Sequence, residues 1–229
     1  MVLVSADIEW RALRALLAQP KQEETPIGEW FARAYRTPRG AVSVPFLHAG
    51  WGKVSSAAAT QYAIDRWRPR LLVNLGTCGG FAGKVERGQV LLVKDTLLYD
   101  IHERMGDSQE AIDHYTTRLD PELWPRGRRN GLRVERLISA DRDIDPAEIP
   151  ELEQRYGAVA ADWESAAIAF VAKRNRTPLV ILRGVTDLVD TKGGEAYGNL
   201  EVFEAGTRKV MKELLERFDA ALPELAPGR

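Results

Sequence analysis

Apolar residues along this chain gather in short unbroken runs separated by stretches of helical period, the alternation expected of an α/β protein. Residues 2–5, 71–75 and 179–182 are almost wholly apolar and read as strands buried on both faces. Leu13, Leu16 and Leu17 share one helical face and predict a helix over 10–17 that ends near Pro20. Residues 28–35 and 41–47 are strand-like and flank Thr37-Pro38-Arg39-Gly40, whose Pro and Gly predict a hairpin. An Ala-rich helix follows over 54–67, stopped by Pro69, and further strands are expected at 90–93, 96–99, 136–139 and 159–161. Helices are predicted at 149–156, 164–174 and about 199–218, with a tail over 223–229 that should fray. Residues 102–129 carry no clear period and read as an irregular insertion or a loop near the mouth of a site.

Open α/β sheets bind ligands beyond the carboxyl ends of their strands, so the polar tips of the apolar runs are where chemistry is expected. Glu9 lies just past the first run. Gly76-Thr77-Cys78-Gly79-Gly80 follows the run at 71–75 and reads as a tight turn between strands, with Cys78 as a small residue in it. Asp187 lies in Arg183-Gly184-Val185-Thr186-Asp187-Leu188-Val189-Asp190, which is expected to open as a loop after residue 182. Glu9 and Asp187 could thus face each other across a ligand, and paired carboxyl groups suit glycosidic bond cleavage, one donating a proton while the other activates water. Each alone reads more readily as a cap or a surface charge, and it is their joint placement at strand ends that favours the catalytic reading. Glu164, at a helix start, is either a first-turn carboxylate favoured by the helix dipole or a group that grips hydroxyls.

Composition narrows the function classes. The 229 residues suit a single domain over 1–229, and 32 basic against 33 acidic residues give a net charge of −1, so no field draws nucleic acid or a membrane surface. One Cys excludes an internal disulfide and a Cys-based zinc site. His48, His102 and His114 have no ligand-like spacing, so no metal is expected. The glycine segment has neither dinucleotide nor phosphate-loop spacing, and no cofactor is expected. Without a signal-like N-terminus the expected compartment is the cytoplasm.

Four segments together resemble the nucleoside phosphorylase and nucleosidase superfamily, most closely the bacterial 5'-methylthioadenosine/S-adenosylhomocysteine nucleosidases. Ala49-Gly50-Trp51-Gly52-Lys53-Val54 resembles the family's Gly-hydrophobic-Gly-Lys-Val turn, and Asn74-Leu75-Gly76-Thr77-Cys78-Gly79-Gly80 its Asn-x-Gly-Ser/Thr-Ala/Cys-Gly-Gly segment. Trp163-Glu164-Ser165-Ala166-Ala167 stands for Met-Glu-x-x-Ala, and Arg183-Gly184-Val185-Thr186-Asp187 for Arg-x-x-Ser-Asp. They occur in the family's order across nearly the whole chain. The resemblance implies a three-layer αβα sandwich with a central mixed twisted sheet, in which Asp187 is the general acid that protonates purine N7. It further implies that Glu164 bonds the ribose hydroxyls and Glu9 activates water, with Thr77, Cys78, Gly79, Ile144, Trp163 and Thr186 against the substrate. The implied partner is a small purine nucleoside, and the implied assembly a homodimer, or a hexamer as in some relatives.

The chain departs from the pattern in three places. Glu9 stands one residue closer to the first strand than the family's Glu. Asp143 replaces the aromatic that stacks on the base in adenine-specific relatives, a contact worth about 1–3 kcal/mol, and Trp163 replaces Met. Asn74 stands where hexameric phosphorylases of the superfamily carry an Arg for phosphate, so water is the expected nucleophile. Two alternatives remain at this stage: a phosphorylase using Lys53 or Arg183 for its anion, and a nucleoside-binding member that has lost catalysis.

Overall fold

The computed structural model describes residues 1–38 and 40–225. Arg39 of the expected hairpin turn and residues 226–229 of the expected fraying tail lie outside the described residues. In chain order the elements begin with β1 (Val2–Val4), α1 (Asp7–Leu16), β2 (Glu23–Glu24), β3 (Glu29–Thr37), β4 (Gly40–His48), α2 (Gly52–Trp67) and β5 (Leu72–Phe81). They continue with β6 (Val90–Leu98), α3 (Ser108–Tyr115), β7 (Thr117–Arg118), β8 (Leu132–Ser139), α4 (Ile149–Tyr156) and β9 (Ala160–Asp162). Then come α5 (Ser165–Arg174), β10 (Leu179–Asp190), β11 (Gly193–Gly194) and α6 (Leu200–Leu225).

The strands form one mixed sheet in the order β11-β10-β6-β8-β9-β5-β1-β4-β3-β2, and β10 also pairs with β5. Side chains alternate between faces along each strand. Val2, Val4, Val73, Leu75, Val180 and Leu182 pack with Leu13 of α1 and Met211, Leu214 and Phe218 of α6. Leu3, Leu72, Leu179 and Ile181 face the other way, against Ala59 and Ala63 of α2 and Ile168 and Ala169 of α5. Both faces of the sheet are therefore covered by helices, which explains the unbroken apolar runs and gives the three-layer α/β sandwich.

The two longest parallel strands correct the expected loops. Gly76 to Gly80 do not form a turn: β5 continues through them to Phe81, and Cys78 is a buried strand residue. Likewise β10 does not end at residue 182 but runs to Asp190, so Asp187 lies within a strand. The two strands pair in parallel from Leu179 with Leu72 to Val189 with Phe81, and this ladder holds extended the glycines and polar residues that interrupt the apolar pattern.

Smaller differences have similar causes. α1 begins at Asp7 because its polar first turn lies ahead of the apolar period, and the two runs at 90–99 are one strand, β6, with a register shift between Val93 and Asp95. The region 102–129 contains α3, capped by the Asp107 side chain on the Gln109 N–H, and the short β7. None of its residues lines the large cavity described below, so it is not the mouth of that site. α6 extends past Phe218 because Ala221 and Leu222 are also buried. Among the described residues, no helix is long and apolar enough to cross a membrane.

Candidate active site

A cavity of about 750 Å³, well within the range of small-molecule sites, opens where β5, β9 and β10 meet the first turn of α1 and the start of α6. Thr77, Cys78, Gly79, Ile144, Trp163, Thr186, Glu9, Glu164 and Asp187 all line it. All three carboxyl groups are buried, with 4%, 6% and 6% of Glu9, Glu164 and Asp187 exposed, and each is held differently.

Asp187 owes its position to a bulge. Val185 pairs with Cys78 and Asp187 with Gly79, leaving Thr186 as the extra residue. A one-residue slip reverses which face a side chain takes, and bulges commonly re-aim side chains beside active sites. Burial pushes the Asp187 carboxyl above the usual aspartate range; the hydroxyl of Thr186, 2.6 Å from Oδ1, pulls it down, and the charges of Glu195 and Asp143 raise it further. Thr186 Oγ1 is also 3.3 Å from the Cys78 carbonyl. A protonated Asp187 can donate to Thr186, which then donates to Cys78, so the neutral acid keeps a complete hydrogen-bond chain.

Glu9 is anchored rather than free. Its Oε1 accepts from the Thr77 N–H at 2.5 Å and the Thr77 hydroxyl at 2.8 Å, and its Oε2 accepts from the Ala6 N–H at 3.2 Å. A carboxylate has about four acceptor sites, so one remains for a water. Gly76 permits this packing: a Cβ there would lie 2.5 Å from Arg183 Nη1 and 2.9 Å from Glu9 Oε1. Gly76→Ala is expected to lower stability by about 1–3 kcal/mol through overpacking; an unchanged thermal midpoint would show that the site yields easily.

Glu164 sits at the N-cap of α5, where its Oε1 accepts the Gly52 N–H at 3.0 Å. Burial, then the charges of Asp162 and Glu9, push its carboxyl up to about 8, while the Gly52 bond and Arg183 pull the other way. Trp163 lies beside Trp51, ring centroids 5.1 Å apart, at the exposed rim.

Sequence reasoning missed the buried support beneath these groups. Arg183 is 1% exposed; its Nε donates to Asp162 at 2.7 Å and its Nη2 to Asn74 Oδ1 at 2.6 Å. Asp162 also accepts from the Ser139 and Ser165 hydroxyls, each at 2.5 Å. A cation at the end of an apolar run was the available signal, since a buried charge requires a partner. Tyr197 and Phe203 also line the cavity, with the Tyr197 hydroxyl donating to the Ile144 carbonyl at 2.6 Å; neither carries a local signal. Asp143 is an exposed part of the cavity wall, so these rings and the Trp51–Trp163 pair are its aromatic surfaces. Burial pushes the Cys78 thiol up, which makes it a poor nucleophile.

A family model described as the Phosphorylase superfamily matches residues 2–222. The chain is 26% identical over 214 residues to the 5'-methylthioadenosine/S-adenosylhomocysteine nucleosidase of Bacillus velezensis, covering 86% of this chain and 88% of that one. Its fold is similar to that of the Helicobacter pylori 5'-methylthioadenosine/S-adenosylhomocysteine nucleosidase solved with butyl-thio-DADMe-Immucillin-A. That match has a TM-score of 0.80 at 18% identity and covers 96% of this chain and 97% of that one. A futalosine hydrolase mutant of Helicobacter pylori is similar at a TM-score of 0.78 and 18% identity, covering 96% and 97%.

Proposed function

The chain belongs to the phosphorylase superfamily, and on that premise we propose that it is a purine nucleosidase, hydrolysing the N-glycosidic bond of a purine nucleoside. The observation that carries this reading is the meeting of Glu9, Glu164 and Asp187 in one cavity, each in a different electrostatic setting. Asp187, with its raised pKa, delivers its proton to purine N7 as the bond from the sugar C1' to N9 breaks and the bonding electrons leave with the base. Positive charge builds on the ribose, whose hydroxyls are held by Glu164. A water whose proton passes to Glu9 adds to C1', and the products are free base and free sugar.

Hydrolysis is favoured over phosphorolysis by how the three positions expected to serve an anion, Asn74, Arg183 and Lys53, are placed. Asn74 is tied to Arg183 and, through its side-chain N–H, to the Leu3 carbonyl at 3.1 Å. Arg183 donates through Nε to Asp162 and through Nη2 to Asn74, Lys53 bonds Asp100 at 2.5 Å, and neither lines the cavity. A phosphate dianion would need such groups free. Of the two arginines in the cavity wall among the described residues, Arg142 is paired with Glu148, so exposed Arg11 is the one cation there that phosphate could use, and the phosphate arm of the test below decides. Incubation with a panel of purine nucleosides should release base and free sugar without added phosphate. Turnover only with phosphate, yielding a sugar phosphate, would make the chain a phosphorylase; tight binding with no release would make it a non-catalytic nucleoside binder. The same proposal takes residues 1–229 as one domain acting in the cytoplasm, and a homodimer, or a hexamer, as the assembly, for which the family resemblance is the support and light scattering the check.

A further inference from the structure

Glu164 takes its hydrogen bond from a backbone group 112 residues away, the Gly52 N–H, so the grip on the sugar depends on how firmly the start of α2 is held. That turn is conformationally demanding. Gly50 and Gly52 both adopt left-handed backbone, at φ +76° and +82°, and Trp51 between them is 65% exposed and lies over Trp163. Left alone, a turn with two such glycines has little to fix it.

Three polar residues outside the cavity lining hold it. The Lys53 N–H donates to Asp141 Oδ1 at 2.7 Å, and the Lys53 ammonium donates to Asp100 Oδ2 at 2.5 Å while lying 3.8 Å from Asp141 Oδ2. Asp100 Oδ2 also accepts the Asp141 N–H at 3.0 Å. A Cβ on Gly52 would meet Asp141 Oδ1 at 3.0 Å, so the carboxylate lies directly against the turn. The residues come from the head of α2, the segment just after β6 and the loop after β8, and that last loop also carries Asp143 and Ile144 of the cavity wall.

We propose that Asp141, with Lys53 and Asp100, is a positioning device: it locks the Gly50-Trp51-Gly52 turn so that the Gly52 N–H aims Glu164 at the ribose hydroxyls. It fixes the distance between the sugar grip and the wall bearing Ile144. This rests on the nucleosidase reading only in taking Glu164 as the sugar contact. Asp141 serves by accepting from the Lys53 N–H, a task that Asn can perform and Ala cannot.

The test measures binding of adenosine and of 2',3'-dideoxyadenosine by titration calorimetry, in an Asp187→Asn background so that neither is consumed. Asp141→Ala is expected to weaken adenosine binding about tenfold, the scale of one lost charge-assisted hydrogen bond, and to change dideoxyadenosine binding less than about twofold. Asp141→Asn should restore most of the adenosine affinity. Equal losses for both ligands, or an Asn variant as poor as Ala, would make the cluster a merely structural ion pair and overturn the proposal. Equal affinity of the parent for both ligands would remove Glu164 as the sugar contact, and the proposal with it. Lys53→Met gives an independent second variant with the same expected selectivity. Binding that follows the prediction, alongside an Asp187-intact chain that releases no base, would retain the device and reject the hydrolytic reading.

Discussion

Asp187→Asn should lower kcat/KM by about 10²–10⁴-fold, the usual contribution of a positioned general acid, with purine nucleoside still bound. Asn preserves the shape of the side chain and can accept from Thr186, so the bulge and the Thr186 contacts should survive. What is lost is the proton for N7. The stability effect runs the other way. Because burial raises the folded-state pKa of Asp187, the stability of its protonated form is fully present below the unfolded value of 3.8 and is lost as pH rises through the folded value. Asn never ionises, so the variant should melt at the same temperature as the parent or higher at pH 8. Residual activity near the parental level would remove Asp187 as the acid; a collapse in thermal midpoint would make its role structural. Parental turnover should likewise fall as pH rises through the raised pKa of Asp187.

Glu164→Gln is expected to weaken transition-state binding by roughly 10–100-fold, since Gln can still meet a hydroxyl but cannot ionise as the ribose becomes cationic, and so cannot supply the charge that strengthens those hydrogen bonds. Its stability signature is distinctive. Glu164 has a folded value of about 8 against an ordinary 4.5, so the stability of its protonated form is complete below pH 4.5 and drains away as pH climbs towards 8. Gln is exempt from that loss. The gap in thermal midpoint between variant and parent should therefore widen from pH 4.5 to about 8 and then level off. A gap that is flat across this range would mean that the buried carboxyl is not carrying a proton at neutral pH. Activity unaffected on ribonucleosides would remove Glu164 from the sugar site.

Much of the site was legible because its groups lie at the ends of recognisable periodic segments. Glu9, Thr77, Glu164 and Asp187 each follow an apolar run or open a helix, and such places converge in an α/β sheet. The glycines were visible but misread. Gly76, Gly79 and Gly80 suggest a turn, yet they lie inside β5 because neighbouring side chains need the space that a Cβ would fill: Arg183 and Glu9 at Gly76, Val85 and Val185 at Gly80. Nothing local distinguishes a glycine that bends the chain from one that admits a neighbour.

Local periodicity and the order of four short segments determined the layered α/β architecture, the identity of the three cavity carboxyls and the kind of chemistry they suit. These are written within a few residues of one another, because side-chain spacing along a helix or strand is a local property. Tertiary structure alone decided that β5 and β10 run on through their polar tips, that Thr186 bulges to turn Asp187 into the cavity, and that Arg183 is neutralised by Asp162. It alone brought Gly52 to Glu164 across 112 residues. Each depends on a partner distant in sequence, through a ladder, an ion pair or a cap, and such pairings are set by the packing of the whole sheet and its two helical layers.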